Sequence, residues 1–182
     1  MRPATKKDVA RLVGLGVESA EVHERRLRAQ ASGKSSYLLA EYQDTLIGHV
    51  VLRWAGSVHG GVRGHLGIVP ELRRFRVADS FQRSGFGRQL LELAEGVVAA
   101  RGYDSLSLCV GIDNAAARRL YETSGYATWG RGFFESSWKS ADADGRVVEI
   151  AHVVDVMTKS LSASASPEGS NVVGKLAVVG AG

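Results

Sequence analysis

The sequence predicts an α/β fold, because strand patterns at residues 37–54 are followed by a strand–helix–strand unit. An apolar run at residues 71–77 leads through a glycine-rich turn into an amphipathic helix at residues 86–100, and a second strand pattern occupies residues 105–110. A strand that returns to its sheet through one helix makes a right-handed crossover. We therefore expect residues 71–77 and 105–110 to form a parallel pair within the sheet.

The amino-terminal part of the chain changes from helical to strand patterns. Residues 6–31 carry an interrupted apolar stripe, which predicts two helical segments. Residues 37–42 and 45–54 are strand-like, and Gln43-Asp44 between them predicts a hairpin turn. Residues 55–70 are rich in glycine and predict a long irregular loop, which in a compact domain is often functional.

The central strand and helix differ in the regularity of their apolar residues. Within residues 71–77 the apolar residues Leu72, Phe75 and Val77 do not follow a period of two. This spacing predicts either a β-bulge or a strand that is buried on both faces. In the helix at residues 86–100, apolar residues recur at regular helical spacing.

The carboxyl-terminal part predicts one more helix and two more strands. Asp113 or Asn114 can cap a helix over residues 115–124. The residue pattern at 126–134 then predicts a strand. Residues 144–157 begin with an Asp-Gly turn and continue as a β-rich run, which predicts the final strand.

The composition is that of an ordinary globular domain, with 45% hydrophobic and 23% charged residues among 182. No apolar run approaches the length of a membrane span, and no signal-peptide core follows the first residues. The single cysteine, Cys109, cannot form an internal disulfide, and nothing suggests a cysteine–histidine metal cluster. We expect a cytoplasmic, metal-free domain at residues 1–159 and a disordered polar tail at residues 160–182.

Five arginines within sixteen positions make the centre of the chain basic, in a protein of net charge +4. They are Arg73, Arg74, Arg76, Arg83 and Arg88. Such a cluster favours a nucleic acid or a smaller polyanion, or it forms a solvated face without a ligand. Because no zinc-finger spacing or aromatic RNA-binding motif accompanies it, a small phosphate-bearing ligand is the more economical hypothesis.

Gly85 and Gly87 stand at the predicted start of the central helix. A helix N-terminus has unpaired N–H groups and a partial positive charge, so it favours an anion. Glycines allow the backbone to approach that anion closely. On its own, however, a Gly-x-Gly sequence before a helix more often marks a plain turn.

Two motifs together resemble the GNAT family of N-acetyltransferases. Residues 82–87 match the family's Gln/Arg-x-x-Gly-x-Gly/Ala turn, and residues 114–126 match its later Asn-x-x-Ala-x-x-x-Tyr-x-x-x-Gly-Phe/Tyr pattern. The positions that carry the match are Gln82, Arg83, Gly85, Gly87, Asn114, Ala117, Tyr121, Gly125 and Tyr126. The resemblance extends in order from residue 2 to about residue 159.

The resemblance implies a mixed, largely antiparallel sheet, splayed at its parallel strand pair, with helices on both faces. It also implies acetyl-CoA as a co-substrate, without a metal. Backbone N–H groups of residues 83–88 would bind its pyrophosphate, and the strand before the turn would pair with its pantetheine arm. The implied cofactor-binding residues are Phe75, Arg76, Val77, Arg83, Ser84, Gly85, Phe86, Gly87, Arg88 and Asn114.

Tyr121 resembles the family's general-acid tyrosine, which donates a proton toward the sulfur of the coenzyme. The alternative is a core tyrosine that packs its helix on the sheet. Asn114 resembles the family's coenzyme-contacting asparagine, and the alternative is that it only caps the helix.

Glu71 lies where the histone-acetyltransferase branch of the family places a glutamate, so it is the candidate general base. The alternative is a strand-edge glutamate that pairs with Arg73 or another arginine. The bacterial ribosomal-protein acetyltransferases resemble this chain at residues 114–126 but have a glutamate in place of Cys109. Cys109 is predicted to be a buried small residue rather than a nucleophile.

The resemblance implies an enzyme that acetylates a primary amine of a small molecule or a peptide by direct attack in a ternary complex. Two other classes stay open: a non-catalytic acyl-CoA sensor and a nucleic-acid-binding module that uses the arginines. Neither a membrane nor a nucleic acid is expected as a partner. The identity of the acceptor and the oligomeric state, with a homodimer as one alternative, stay open.

Overall fold

A computed structural model of the chain describes residues 1–16, 18–141 and 147–161. Two 3-10 turns cover Lys6–Asp8 and Asp79–Phe81. The helices are α1 (Val9–Val13), α2 (Ala20–Ala31), α3 (Gly60–Leu66), α4 (Phe86–Ala100) and α5 (Ala115–Thr123). The strands are β1 (Arg2–Pro3), β2 (Ser35–Tyr42), β3 (Thr45–Arg53), β4 (Glu71–Val77), β5 (Ser105–Gly111), β6 (Ala127–Thr128), β7 (Phe134–Ala141) and β8 (Val147–Ser160).

The described strands form one mixed sheet in the order β1-β2-β3-β4-β5-β8-β6, and β7 also pairs with β8. Only β4 and β5 are parallel, and all other described pairs are antiparallel. Helix α4 makes the crossover between the two parallel strands. The predicted α/β fold with a largely antiparallel sheet and one parallel pair is confirmed. Within the described ranges, every helix is too short or too polar to cross a bilayer.

Both faces of the sheet are covered, because side chains alternate along its strands. On one face, Leu38 and Ala40 of β2 belong to the core cluster that contains the buried residues of α4 and Tyr121 of α5. On the other face, Tyr37 and Leu39 pack with Leu12 of α1 and Leu27 of α2. The sheet is therefore a central layer between two groups of helices, as expected.

A β-bulge interrupts β4, as the irregular apolar spacing indicated. His49 of β3 is opposite Arg76 and Val51 is opposite Arg73, so two residues of β4 face a single residue of β3. Arg74 has a φ of +50°, in the left-handed region that side chains rarely adopt. The bulge lets Leu72, Phe75 and Val77 contact the same core despite their spacing.

The hairpin prediction is confirmed, and two other predictions need correction. Gln43 and Asp44 both have positive φ, which suits a two-residue turn between β2 and β3. The predicted irregular loop at residues 55–70 contains α3. Residues 126–134 do not form one strand, because β6 ends at Thr128 and positive-φ glycines precede β7.

The final strand extends further than predicted. β8 reaches Ser160, and Leu161 is buried in the core cluster that contains α4. The predicted disordered tail at residues 160–182 therefore needs correction at its start, because Ser160 and Leu161 belong to the folded domain. The remainder of that tail and the predicted Asp-Gly turn at residues 144 and 145 lie outside the described residues.

A polar cluster is buried between α2 and the sheet. Tyr37 and His23 share a hydrogen bond of 2.8 Å between Oη and Nδ1, and the His49 ring lies edge-on to both rings. Burial lowers the pKa of His23, and burial lowers the pKa of His49 to about 4. His49 Nδ1 has no hydrogen-bond partner among the described residues. Both imidazoles are therefore neutral in the folded protein at neutral pH.

We predict that the free energy of unfolding decreases as the pH falls from 6.5 toward 4. The unfolded chain binds a proton at His49 near pH 6.5, whereas the folded chain does so only near pH 4. The loss attributable to His49 is up to about 3 kcal/mol. Urea unfolding of the native protein and of His49→Gln at several pH values measures it. The substitution should flatten the dependence in this window, and equal slopes for the two proteins would contradict the prediction.

Candidate active site

The parallel pair opens into a wedge because β4 and β5 separate soon after they meet. Their register pairs only Glu71 with Ser107 and Leu72 with Leu108. Over the described residues, β5 pairs along its whole length with β8 on its other side. Among the described residues, the edge of β4 from Arg73 onward therefore has no strand partner on the β5 side. An unpaired edge of this kind can bind an extended ligand through its backbone N–H and C=O groups.

Two cavities open along this edge and share Phe75, Asn114 and Ala117 as walls. The first, of about 780 Å³, lies between the glycine turn and α5. The second, of about 630 Å³, lies in the wedge between β4 and β5, and we call it the wedge cavity. Together they form a cleft from the start of α4 to the centre of the sheet.

The glycine turn presents the start of α4 to the first cavity. Gly85 is the N-cap of α4 with a φ of +88°, and a Cβ built there would have no heavy atom within 4 Å. The turn is held from behind, since Gln82 Nε2 donates to Val77 O at 3.0 Å and Ser84 Oγ donates to Phe81 O at 2.5 Å. Arg83 also has a positive φ, of +58°. A helix start of this form favours an anion.

Gly87 serves a different purpose from Gly85. A Cβ at Gly87 would lie 3.4 Å from Leu120 Cδ2, so the small residue allows α4 to approach α5. Arg88 strengthens the same helix contact by donating to the carbonyl oxygen and the hydroxyl of Thr123 at 3.2 and 3.1 Å. Arg88 and Gly87 therefore support the wall of the cavity as well as lining it.

Tyr121 lies at the inner end of the cleft, where it lines the wedge cavity. Its ring contacts Phe75 with centroids 6.2 Å apart and Tyr126 with centroids 5.8 Å apart. Burial raises the pKa of the Tyr121 hydroxyl to about 12. The hydroxyl therefore keeps its proton at neutral pH and can donate it.

Glu71 is buried at the start of β4, with 2% of its surface exposed. Its Oε1 accepts from Ser57 Oγ at 3.2 Å and from Cys109 Sγ at 3.4 Å, and Arg73 lies 3.4 Å from Oε2. Cys109 lines the wedge cavity, and the Glu71 side chain is one layer behind that wall. Burial, with the negative charge of Glu71, raises the pKa of the Cys109 thiol to about 12, so the thiol is protonated rather than nucleophilic.

Most of the predicted cofactor-binding residues come together around the first cavity. They are Phe75, Val77, Arg83, Gly85, Gly87, Arg88 and Asn114. Three do not line it. Arg76 donates to Leu15 O at 3.1 Å on the α1 side of the sheet, Ser84 is held by Phe81, and Phe86 is buried against Tyr42 and Phe81.

Asn114 caps α5 and lies at both cavities, while its predicted contact with the coenzyme stays a prediction. Its Oδ1 accepts from the Ala117 N–H at 3.0 Å, which caps α5, and the residue also lines both cavities. The alternative in which Glu71 pairs with Arg73 is present in the structure as well. An ion pair does not by itself exclude a role in proton transfer.

Several residues of the site carry no recognisable signal in the sequence. Ser57, which bonds Glu71, lies in the segment predicted as a loop, and Ser136 of β7 lines the wedge cavity. Ser136 Oγ lies 3.3 Å from His59 Nε2, and burial lowers the pKa of His59. No local motif marks these positions, because they meet only when residues distant in the sequence fold together.

Comparison with known proteins agrees with this geometry. Residues 10–126 match the acetyltransferase (GNAT) family, and this span includes the glycine turn, Glu71 and Tyr121. The chain belongs to the GNAT family. In the described residues, no group of three histidine, cysteine, aspartate or glutamate side chains is placed to hold a metal ion.

Relatives in the family act on different acceptors according to their names. A mycothiol acetyltransferase from Thermobispora bispora is 31% identical over 106 residues, which is 58% of this chain and only 35% of that protein. A ribosomal-protein-alanine N-acetyltransferase from Brucella melitensis has a TM-score of 0.64 at 20% identity, covering 88% of this chain and 98% of the other. The yncA protein of Salmonella typhimurium, solved with its cofactor acetyl-CoA, has a TM-score of 0.61 at 19% identity, covering 93% and 97%. These structural matches show the shared fold.

The residues present fit the acetyl-CoA that GNAT proteins use. The open space at Gly85 leaves room for an anionic group against the start of α4. The unpaired edge of β4 continues from there toward Tyr121, which suits an extended arm with amide groups.

We predict that Gly85→Val lowers the affinity for acetyl-CoA at least about tenfold. The branched side chain would occupy the open space at the turn and would strain a backbone with a φ of +88°. Isothermal titration calorimetry with the folded variant measures the affinity. Gly102→Val is the matched control, since Gly102 has a φ of +83° and equally open surroundings at the far end of α4. Both variants should lose stability, but only Gly85→Val should lose affinity; native affinity in Gly85→Val would refute the assignment.

Proposed function

We propose that the protein transfers the acetyl group of acetyl-CoA to a primary amine of a small molecule or a peptide, by direct attack while both substrates are bound. The observation that carries the proposal is the cleft that runs from the glycine turn to Tyr121, with Glu71 behind its wall. Named relatives of the same fold include acetyltransferases of spermidine and of a ribosomal-protein alanine, so the acceptor varies within this architecture.

The first part of the cleft would hold acetyl-CoA, which supplies the reactive thioester. The backbone N–H groups at the start of α4, with Arg83 beside them, would bind the phosphates. The unpaired edge of β4 at residues 75–77 would pair with the pantetheine arm and orient it along the wedge. Its N–H groups would also stabilise the oxyanion that forms when the amine attacks.

Tyr121 would supply the proton that the departing thiolate needs. Tyr121 lines the wedge cavity, its hydroxyl is protonated at neutral pH, and its ring packs against the Phe75 and Tyr126 rings. Because the pKa of this hydroxyl is raised, the proton would stay on Tyr121 until the thiolate departs.

Glu71 would accept the proton that the amine must lose. Its carboxylate is connected to the wedge cavity by the Cys109 thiol, which donates to it at 3.4 Å. Ser57 and Arg73 also contact this carboxylate, at 3.2 and 3.4 Å, and hold it in position. The proton would reach Glu71 through a polar group at this wall, because the carboxylate itself is buried.

Acetyl-CoA binding followed by a screen for free thiol release over amines, polyamines, amino acids and peptides tests the proposed function. Binding together with amine-dependent thiol release would support the transferase. Binding without release over the whole panel would instead support a non-catalytic acyl-CoA sensor. If acetyl-CoA does not bind, both are excluded.

We predict that Tyr121→Phe preserves the affinity for acetyl-CoA and lowers kcat roughly a hundredfold, because only the hydroxyl group that donates the proton is removed. Single-turnover kinetics with a good acceptor measure the chemical step. Tyr126→Phe is the control, since the Tyr126 hydroxyl is also buried but the residue does not line the wedge cavity. Native turnover in Tyr121→Phe would make Tyr121 a packing residue.

We predict that Glu71→Gln lowers turnover most near neutral pH, with partial recovery under alkaline conditions, where the free amine is already deprotonated. The glutamine is isosteric and keeps contacts to Ser57 and Cys109 within reach. The measurement is kcat/KM against pH for both proteins with one acceptor. If Glu71 only pairs with Arg73, the substitution changes stability slightly, and the pH profile of kcat/KM keeps its shape and its native magnitude. That result would show that Glu71 is not the general base.

A further inference from the structure

A third cavity, of about 470 Å³, lies between α2, β2, β3 and β4 on the face of the sheet opposite α4. Six cationic side chains line it, and none of its described lining residues is acidic. The six are Arg25, Arg26, Lys34, Arg53, Arg73 and Arg74. We call this cavity the basic pocket. A concave site with one sign of charge concentrates anions.

The basic pocket adjoins the wedge cavity. Arg73 and Arg74 line both, because the bulge in β4 brings these consecutive residues to the same region. The basic pocket shares no described lining residue with the cavity at the glycine turn, so it is separate from the proposed site of the coenzyme phosphates. In the proposed reaction this position would lie on the side of the acceptor.

Internal ion pairs neutralise only part of this charge. Arg26 is paired with Glu18, and Arg73 lies 3.4 Å from Glu71. Arg25 and Lys34 are exposed at the mouth, and neither side chain makes a hydrogen bond or ion pair with another described residue. Burial lowers the pKa of Arg74; the charge of Glu18 opposes this shift, while the charges of Arg26, Arg73 and Arg25 add to it. The cations therefore repel one another, and an anion in the pocket would relieve that repulsion.

We propose that the basic pocket binds an anionic group of the acceptor, so that the substrate is a compact amine that also carries a carboxylate or a phosphate. The amine would enter the wedge cavity beside Tyr121, while Arg73 and Arg74 connect that cavity to the bound anion. The inference rests on the proposed function and narrows its substrate class. A polycation such as spermidine would be rejected by the same charges.

Matched acceptors test the proposal. Glutamate, glutamine and glutaminamide carry a decreasing number of carboxylates beside the same α-amine, and O-phosphoserine against serine tests phosphate. We expect kcat/KM to fall along the carboxylate series, O-phosphoserine to exceed serine, spermidine to be the poorest acceptor, and the differences to shrink with added salt. A flat or reversed order, or a preference for spermidine or for long acidic peptides over these compact amines, would overturn the proposal.

The double variant Arg25→Gln/Lys34→Gln tests the pocket itself without changing a residue of the proposed catalytic or cofactor machinery. It should raise KM for the anionic acceptors about tenfold and leave kcat and the KM for acetyl-CoA near their native values. Arg28→Gln is the control, since Arg28 is on the same helix but does not line the pocket. Equal KM values for the double variant and the native protein would refute the assignment.

Calorimetry with inorganic phosphate separates the two proposals. If no amine in the panel is acetylated but phosphate binds the native protein and not the double variant, the assignment of the basic pocket as an anion site is supported and the proposed acetyl transfer is refuted. If amines are acetylated without charge preference and phosphate binds both proteins equally or neither, the proposed acetyl transfer is supported and the assignment of the basic pocket as an anion site is refuted.

Discussion

The β-bulge at Arg74 is the constraint on which the rest of the site depends. One extra residue in β4 keeps Leu72, Phe75 and Val77 on the core face while Arg73 and Arg76 lie on the other side. A bulge increases the local twist of a strand, which agrees with the loss of pairing to β5 after Leu72. A non-glycine residue in the left-handed region costs about 1–2 kcal/mol, so surrounding packing must stabilise this conformation.

The chemistry of the site depends on polar groups whose burial is compensated by contacts with neighbouring residues. Glu71 has Ser57, Arg73 and Cys109 as partners, which makes a buried carboxylate tolerable. Burial keeps the proton on Tyr121 and on Cys109 by raising the pKa of each. The site therefore combines a neutral proton donor in the cleft with a carboxyl group behind the cleft wall. The proposed amine acetylation requires a proton donor and a proton acceptor of this kind.

The arginine cluster of the sequence is divided among several tasks in the fold. Arg83 and Arg88 line the cavity at the glycine turn, and Arg88 also joins α4 to α5 through Thr123. Arg76 connects β4 to the end of α1 through Leu15 O. Arg73 and Arg74 instead line the basic pocket together with cationic side chains of α2 and β3. Arginines that lie close together in the sequence are thus distributed over both faces of the sheet, because side chains alternate along β4 and a β-bulge interrupts that strand.

The sequence by itself determined the hairpin, the strand–helix–strand unit, the glycine turn and the amphipathic α4, since these depend on local periodicity and on residues with special backbone preferences. It also predicted the irregularity of β4. It missed α3 and the break before β7, where glycine-rich segments give weak local signals. Only the tertiary structure placed Ser57 and Cys109 on Glu71 and separated Arg76 from the cleft. Contacts between distant residues depend on strand register and packing, which no short stretch of sequence specifies.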